Sequence, residues 1–331
     1  MSGARDISVL VPTYRRRDAV LRLLEGLRRQ TLDPSRFEAV VVIDGTHDGT
    51  EEALSALDTP FALLWRWQEN TGISGARNAA AALAGGRVLL LLDDDMLPEP
   101  GLLAGHLARH EGAARCCVIG ASPLELLPGQ SPIARDVARE FDEHHRRLAE
   151  RPDDPETFDL YGGNFSVSRG IFGDVGGFGT GFDGYGWEDV DFMLRVREAG
   201  GVLRYSPSAV AVQSYDKDVA AVARDAVQEG TNAAVLVARH PQAWAELRRV
   251  KRAVAPGPWR VTRTALIAIT RRAPRTFDAL VSMTRWLERA RFPRMTLCYR
   301  LLLEYCFWLG AGDTLERRPA PIPPPTPAAH V

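Results

Sequence analysis

The stretch "RVLLLLDDDMLPEP", residues 87–100, carries five apolar residues, Val88 to Leu92, straight into Asp93, Asp94 and Asp95. An apolar run of this length without alternation reads as a strand buried on both faces of a sheet. Three adjacent carboxylates at its end repel one another unless a positive group faces them or they bind a cation. The stretch therefore predicts a covered parallel sheet with a charged site at the carboxyl end of one strand.

The segments before it follow the same rhythm. "ISVLV" (7–11), "EAVVVI" (38–43) and "FALLWRW" (61–67) are strand-like, and each precedes a helical pattern such as "SGARNAAAALAGG". Strands alternating with helices predict an α/β, doubly wound architecture. Ligands of such sheets lie beyond the carboxyl ends of the strands. The residues found there are "PTYRR" (12–16), "DGTHDGT" (44–50), "QENTGISGARN" (68–78) and the three aspartates. From Arg115 the pattern changes to a strand-like "RCCVIGA", a charged helix through residue 150, a proline- and acid-rich linker (151–159) and a glycine-dense block (161–201). That block ends in a helix starting near Trp187, with Val190, Phe192, Met193 and Val196 toward the core. Residues 217–240 read as a helix and 259–310 as two or three more. No internal repeat is present.

Length and composition fit one large domain with an appendage: 331 residues, 45% hydrophobic. Cys116, Cys117, Cys298 and Cys306 have no C-x-x-C spacing, which predicts reduced thiols and a cytoplasmic setting. The N-terminal "MSGARDISVLVPTYRRR" meets proline and arginines too early for a signal peptide. The late apolar run 297–312 is broken by Arg300 and Glu304 and is too short to span a bilayer. The net charge of -1 conceals a segregation. Residues 1–247 hold 25 Lys+Arg against 37 Asp+Glu, and residues 248–318 hold 16 against 5, a net of +11.

A D-x-D at the end of a buried strand offers two hard oxygen ligands within one turn, a set suited to Mg2+ or Mn2+ carrying a substrate diphosphate. The competing reading is a solvated acidic loop. Taken in order, "VPTYRR", "IDGTHDGT", "NTGISGARN", "LLLLDDDMLPEP", "GGNFSVSR" and "GWEDVDFMLRVREAGG" resemble the family 2 glycosyltransferases, inverting enzymes of the GT-A fold, over residues 7–240. The resemblance implies a mainly parallel central sheet flanked by helices, with a C-terminal helical extension. The expected division is a catalytic domain (1–240), a basic aromatic-rich helical extension (241–316) and a proline-rich, disordered tail (317–331).

The resemblance also assigns roles. Pro12, Thr13, Tyr14 and Arg15 lie against the nucleoside; Asp44 accepts a hydrogen bond from the base; Gly72 and Arg77 sit near base or phosphate. Asp93 faces the ribose, Asp94 is the middle residue of the D-x-D and Asp95 the metal ligand. Gly163 and Asn164 line the sugar pocket, and Trp187 and Glu188 meet the acceptor. Asp189 is the general base, a role that its place in the first turn of a helix beside a glycine loop also suits. A helix-terminal acid favoured by the macrodipole is the plainer alternative. The implied reaction moves a sugar from a nucleotide-diphosphate sugar, most simply a UDP-sugar, to a hydroxyl of a saccharide, lipid-linked or natural-product acceptor.

Two positions depart from the family pattern. Ile43 stands where many members have the first of two aspartates, and Gln213 stands near a position that is often a metal-binding histidine. Gln213 is a weaker candidate metal ligand, and Lys217 a candidate partner of the diphosphate or a solvated lysine. His47, His106, His110, His144 and His145 show no ligand spacing and read as surface or helix-face residues. In the basic extension, arginines interleave with Trp259, Trp286, Phe292, Tyr299, Tyr305, Phe307 and Trp308. These helices either pack on the catalytic domain or lie on the inner face of an anionic membrane, and their aromatics would also suit a homodimer. No nucleic-acid motif accompanies the charge. Two other functions stay open: a non-catalytic GT-A-like scaffold that binds nucleotide or saccharide, and a haloacid-dehalogenase-like phosphotransferase, for which Leu97 is the wrong residue.

Overall fold

The computed structural model describes residues 5–126, 129–252 and 257–312, so the proline-rich 317–331 lies outside the described residues. Two compact units share the chain. The first comprises Met1–Pro128, Val137–Thr180 and Glu188–Tyr215; the second comprises Gly129–Asp136, Gly181–Trp187 and Asp216–Val331.

The first unit is built on β1 (Ile7–Thr13), β2 (Phe37–Asp44), β3 (Ala62–Gln68), β4 (Val88–Leu92), β5 (Met96–Pro98), β6 (Cys116–Ala121), β7 (Leu124–Glu125), β8 (Asn164–Ser168) and β9 (Val202–Ser214). They form a sheet in the order β3-β2-β1-β4-β8-β6-β9-β5, with β7 paired to β9. β1 to β4 run parallel, β8 is antiparallel to both β4 and β6, and β6 is parallel to β9. The apolar runs are continuous because both faces are covered. Leu89 and Leu91 enter a cluster with Ala76, Ala80, Phe165 and Phe192, whereas Leu90 and Leu92 enter another with Val20, Leu24 and Leu103. Successive side chains of a strand point to opposite faces, so one five-residue strand feeds two cores.

This topology assembles the site. β1, β2 and β4 are parallel and end on one edge, at Thr13, Asp44 and Leu92. The pairing of Leu92 with Asn164 brings the aspartates beside Gly163, whose carbonyl accepts the Asp93 N–H at 3.0 Å. Helix Gly72–Leu83 is alanine-rich and buries Ala76 and Ala80, so it lies close to the sheet.

The second unit is helical: Val219–Arg239, Ala243–Arg252, Gly257–Arg272, Arg275–Arg289 and Met295–Ala311. Residues 219–239, grouped by sequence with the first domain, fall here because they pack along Met295–Ala311. Glycines permit that approach: a Cβ on Gly230 would stand 1.9 Å from the Phe307 carbonyl oxygen, and one on Gly310 1.8 Å from that of Val227. Among the described residues no helix is long and apolar enough to cross a membrane.

Because backbone cannot yield as a flexible side chain does, Gly230→Ala should force these helices apart. The expected loss is about 1–3 kcal/mol of unfolding free energy in denaturant titration; an unchanged midpoint would contradict the packing.

Candidate active site

The site lies wholly within the first unit and is organised by Arg77. Its side chain is 2% exposed. Nη1 donates to Glu188 Oε1 at 3.0 Å, and Nη2 donates to Asp93 Oδ1 at 2.9 Å and to the Gly162 carbonyl at 3.1 Å. The guanidinium also lies over the Phe178 ring, 5.3 Å from its centroid. Burial works against its charge, but Asp93, Glu188 and Asp189 outweigh that and hold it protonated. Asp189 follows Glu188 in the first turn of helix Glu188–Glu198. Burial and the neighbouring Glu188 push its carboxyl well above the ordinary carboxylate range, against the opposing pull of Arg77. Gly162 leaves the room this requires, since a Cβ there would stand 3.1 Å from Asp189 Oδ2 and 3.3 Å from Arg77 Nη2.

Arg16 answers the other two aspartates. Its Nη1 lies 3.1 Å from both Asp94 Oδ1 and Asp95 Oδ2. Asp94 also accepts from Thr13 Oγ1 at 2.8 Å, and Asp95 faces the Gln213 amide at 3.5 Å. Burial raises Asp94 to about 6 despite Arg16 and Thr13. Burial and the repulsion of Asp93 raise Asp95 as well, with Arg16 opposing. Two arginines thus supply the positive charge that the triple aspartate demands.

The remaining candidates divide into those brought to this cluster and those used elsewhere. Thr13, Asp93, Asp94, Asp95, Arg77, Gly163, Glu188, Asp189 and Gln213 converge. Pro12 is buried in β1 opposite Val42, and the exposed Tyr14 lies under the Arg15 guanidinium, 5.0 Å from its ring centroid. Asp44 is occupied in capping helix Gly72–Leu83: it accepts from Thr71 N and Gly72 N at 3.0 Å each, and from Gln68 Nε2 at 2.8 Å. Asn164 is buried too, and its amide donates to the carbonyls of Ala121 and Ala209 at 3.1 Å each. It holds β8 to its surroundings rather than exposing an amide to a ligand. In the second unit, Lys217 pairs with Asp225 at 2.7 Å and lies over Tyr185. Trp187 there adopts φ 75°, a rare conformation for a bulky residue, and donates from Nε1 to the Glu229 carbonyl at 2.9 Å.

Three histidines read as surface or helix-face residues are buried: His106, His110 and His144. His106 and His110 are one helical turn apart on helix Leu102–His110 and face alternate residues of β8. His106 bonds Asn164 Oδ1 and Ser166 Oγ at 2.9 Å each, and His110 bonds Ser166 Oγ at 2.8 Å. Burial lowers them to about 4 and about 3, so both are neutral. The i, i+4 histidine pair and the alternating polar residues of "NFSVS" were the available signal. Arg16 was also missed, although it stands inside "PTYRR".

Residues 8–176 match the family described as Glycosyl transferase family 2, a little over half of the chain. The protein belongs to that family. Residues 152–217 also match the family described as N-terminal domain of galactosyltransferase. Validoxylamine A glucosyltransferase of Streptomyces hygroscopicus subsp. limoneus is 33% identical over 59% of this chain and 48% of its own length. Glucosyl-dolichyl phosphate glucuronosyltransferase of Haloferax volcanii is 27% identical over 53% of this chain and 56% of its own. The chain thus spans about half the length of these curated relatives. Among solved structures, the mannosyltransferase PcManGT of Pyrobaculum calidifontis, in complex with GDP-Man and Mn2+, aligns with TM-score 0.61 at 22% identity, covering 92% of this chain and 87% of that one. S. aureus TarS 1-349 aligns with TM-score 0.51 at 18% identity, covering 90% of each. The fold is GT-A.

For this family 2 protein the donor set bears on metal binding. Among the described residues no three His, Cys, Asp or Glu side chains are grouped to hold a metal ion. Asp93 and Asp95, with the Gln213 amide beside Asp95, fit a hard cation that takes its other ligands from diphosphate and water. A buried oxygen lacking a hydrogen-bond partner, Glu188 Oε2, adds to the polar demand of the cluster.

Replacing Arg77 by methionine leaves Asp93 and Glu188 without their common counter-charge. Denaturant unfolding near neutral pH should show a loss of about 3–5 kcal/mol, and a loss below 1 kcal/mol would remove Arg77 from its organising role.

Proposed function

We propose that the protein transfers a sugar from a nucleotide-diphosphate sugar, a UDP-sugar on the family pattern, to a hydroxyl of a saccharide, lipid-linked or natural-product acceptor, with inversion at the anomeric carbon. The observation that carries the reading is the union, through Arg77, of the aspartate-bearing end of β4 with the Glu188–Asp189 helix terminus. Donor diphosphate and acceptor base would then be served by one cluster.

In this scheme Asp189 takes the acceptor hydroxyl proton as the acceptor oxygen bonds the anomeric carbon, and the bond from that carbon to the diphosphate oxygen breaks. The nucleoside diphosphate leaves with the electron pair. The raised proton affinity of Asp189 suits a base working near neutral pH. The Val190 N–H holds its Oδ1 at 2.8 Å, and Glu188 and Arg77 set the charge around it. Asp95, with Gln213 beside it, would hold Mg2+ or Mn2+, which when bound offsets the charge of the diphosphate. The half-exposed Arg16 balances Asp94 and Asp95 in the structure.

The scaffold reading retains one argument. Asp44, the aspartate assigned to the base, already accepts four hydrogen bonds, three of them at Oδ1. Fewer side-chain contacts to the base would follow, and a binding protein tolerates that as readily as an enzyme.

Titration with UDP, GDP, dTDP and CDP, each with and without Mn2+, separates these possibilities. Metal-dependent binding of one diphosphate should weaken at least about tenfold in Asp95→Ala, since a ligand of the metal ion is lost. With the corresponding sugar nucleotide, Asp189→Asn should lower kcat by about 10²–10⁴ and leave donor affinity within a few-fold. Nucleotide binding without turnover on any acceptor would favour the scaffold.

The pH profile gives an independent check. Asp189 acts as a base only when ionised, and its proton affinity is raised, so kcat should increase tenfold per pH unit below neutrality and then level off. A rate that is flat from pH 5 to 8 would remove Asp189 as the base.

A further inference from the structure

Two helices of the second unit carry apolar residues on the outside as well as on the inside, where Ile267 and Val281 are buried. In Gly257–Arg272 the inward side includes Arg263, ion-paired with Glu304, and Thr270, hydrogen-bonded to the Tyr305 hydroxyl. Its outward side carries Val261, Ala265 and Ile269, with Val261 76% exposed. In Arg275–Arg289, Val281 and Thr284 are buried, while Ala279, Met283 and Trp286 face outward. Met283 is 52% and Trp286 64% exposed. The spacings i, i+4, i+8 and i, i+4, i+7 place each set along one helix face. Isolated exposed apolar residues are ordinary, but aligned ones on adjoining helices mark a contact surface.

The charge around these stripes has one sign. Arg271, Arg272 and Arg275 are exposed at one helix turn, and Arg289, Arg291 and Arg294 at the next. Residues 257–312 contain 10 arginines and three acids, Asp278, Glu288 and Glu304. Two of those acids are committed within the unit, Glu304 to Arg263 and Glu288 to Ser131 and the Tyr299 hydroxyl. Arg285 is ion-paired with Asp218, and residues 257–312 as a whole keep an excess of seven positive charges, 10 less three.

We propose that this face docks on an anionic lipid bilayer, with Trp286, Met283, Ile269 and Val261 entering the headgroup–acyl boundary and the two arginine turns meeting lipid phosphates. A bilayer meets both halves of the pattern, apolar depth and anionic surface. A second copy meets only the first, because a symmetric contact sets arginines against arginines. A nucleic acid meets only the second. The inference does not depend on the glycosyl-transfer reading, as it uses no residue of the first unit.

Co-sedimentation of the full chain with phosphatidylcholine vesicles, with and without phosphatidylglycerol, tests it directly and without nucleotide. Partitioning onto the anionic vesicles should be at least about tenfold stronger and should fall with added salt. The double substitution Met283→Ser and Trp286→Ser should weaken it about tenfold. The triple substitution Arg271→Glu, Arg272→Glu and Arg275→Glu, on a different turn, should abolish the preference for anionic lipid. Thermal melting of each variant establishes that it is folded. Absence of vesicle binding overturns the proposal. So does a concentration-dependent dimer that the Met283/Trp286 variant dissolves, which would assign the face to a second copy.

Discussion

The meeting of three chain segments at the Arg77 guanidinium is the constraint on which the geometry of the first unit depends. Asp93 ends a buried strand, Glu188 begins a helix, and Gly162 precedes the strand that pairs with β4. Each brings a negative charge or a carbonyl dipole into a space poor in water. Without a cation these groups would repel, and hydration would have to replace their partner. Arg77 has two terminal nitrogens in a fixed plane and can satisfy all three at once, which a lysine ammonium on a flexible stem does with less order. Its own position follows from helix Gly72–Leu83, whose first turn is fixed by the carboxylate of Asp44. The acid that ends β2 thereby places the cation that neutralises the acid after β4.

This explains much of what the sequence disclosed. Apolar runs covered on both faces are recognisable because burial leaves no polar residue in them, and β1, β2 and β4 were legible for that reason. The collection of polar loops at one edge followed from parallel topology alone. Partnerships were less legible. Arg16 and Arg77 look alike in a chain with many arginines, and only folding shows which aspartates each one faces. The buried histidines were misjudged because a histidine on a helix has no sequence mark of burial unless its partner strand is known. β8 is hard to read as a strand, since its alternation of polar and apolar residues serves two interior layers rather than core and solvent.

The departures from the family pattern also have a physical setting. Ile43 lies in the same apolar cluster as Val41, Val11 and Leu92. A carboxylate there would be desolvated with no cation at hand, so the alternation of β2 leaves Asp44 alone at the strand end. Asp44 then serves the helix terminus, where two backbone N–H groups reward a negative charge. Gln213, paired in register with Met96 on β5, puts an amide rather than an imidazole beside Asp95. An amide neither titrates nor carries charge, so the electrostatic balance around Asp95 rests more heavily on Arg16 and on any cation that replaces it.

The two halves of the charge distribution are handled in opposite ways. In the first unit, carboxylates that would repel are drawn together, and Asp93, Asp94, Asp95 and Glu188 are each matched to a specific guanidinium at hydrogen-bond distance, which turns their charge to local order. In the C-terminal helices it is the acids that are drawn inward, Glu304 against the buried Arg263 and Glu288 against Tyr299, and most of the other arginines that stand outside. An excess of exposed charge of one sign produces a field that decays within about 8 Å at physiological ionic strength. Such a field does little for a molecule in open solution and acts strongly only where an oppositely charged surface comes into contact. Its coincidence with outward Trp, Met, Ile and Val is therefore the informative feature, because aligned apolar residues likewise have no effect except at contact.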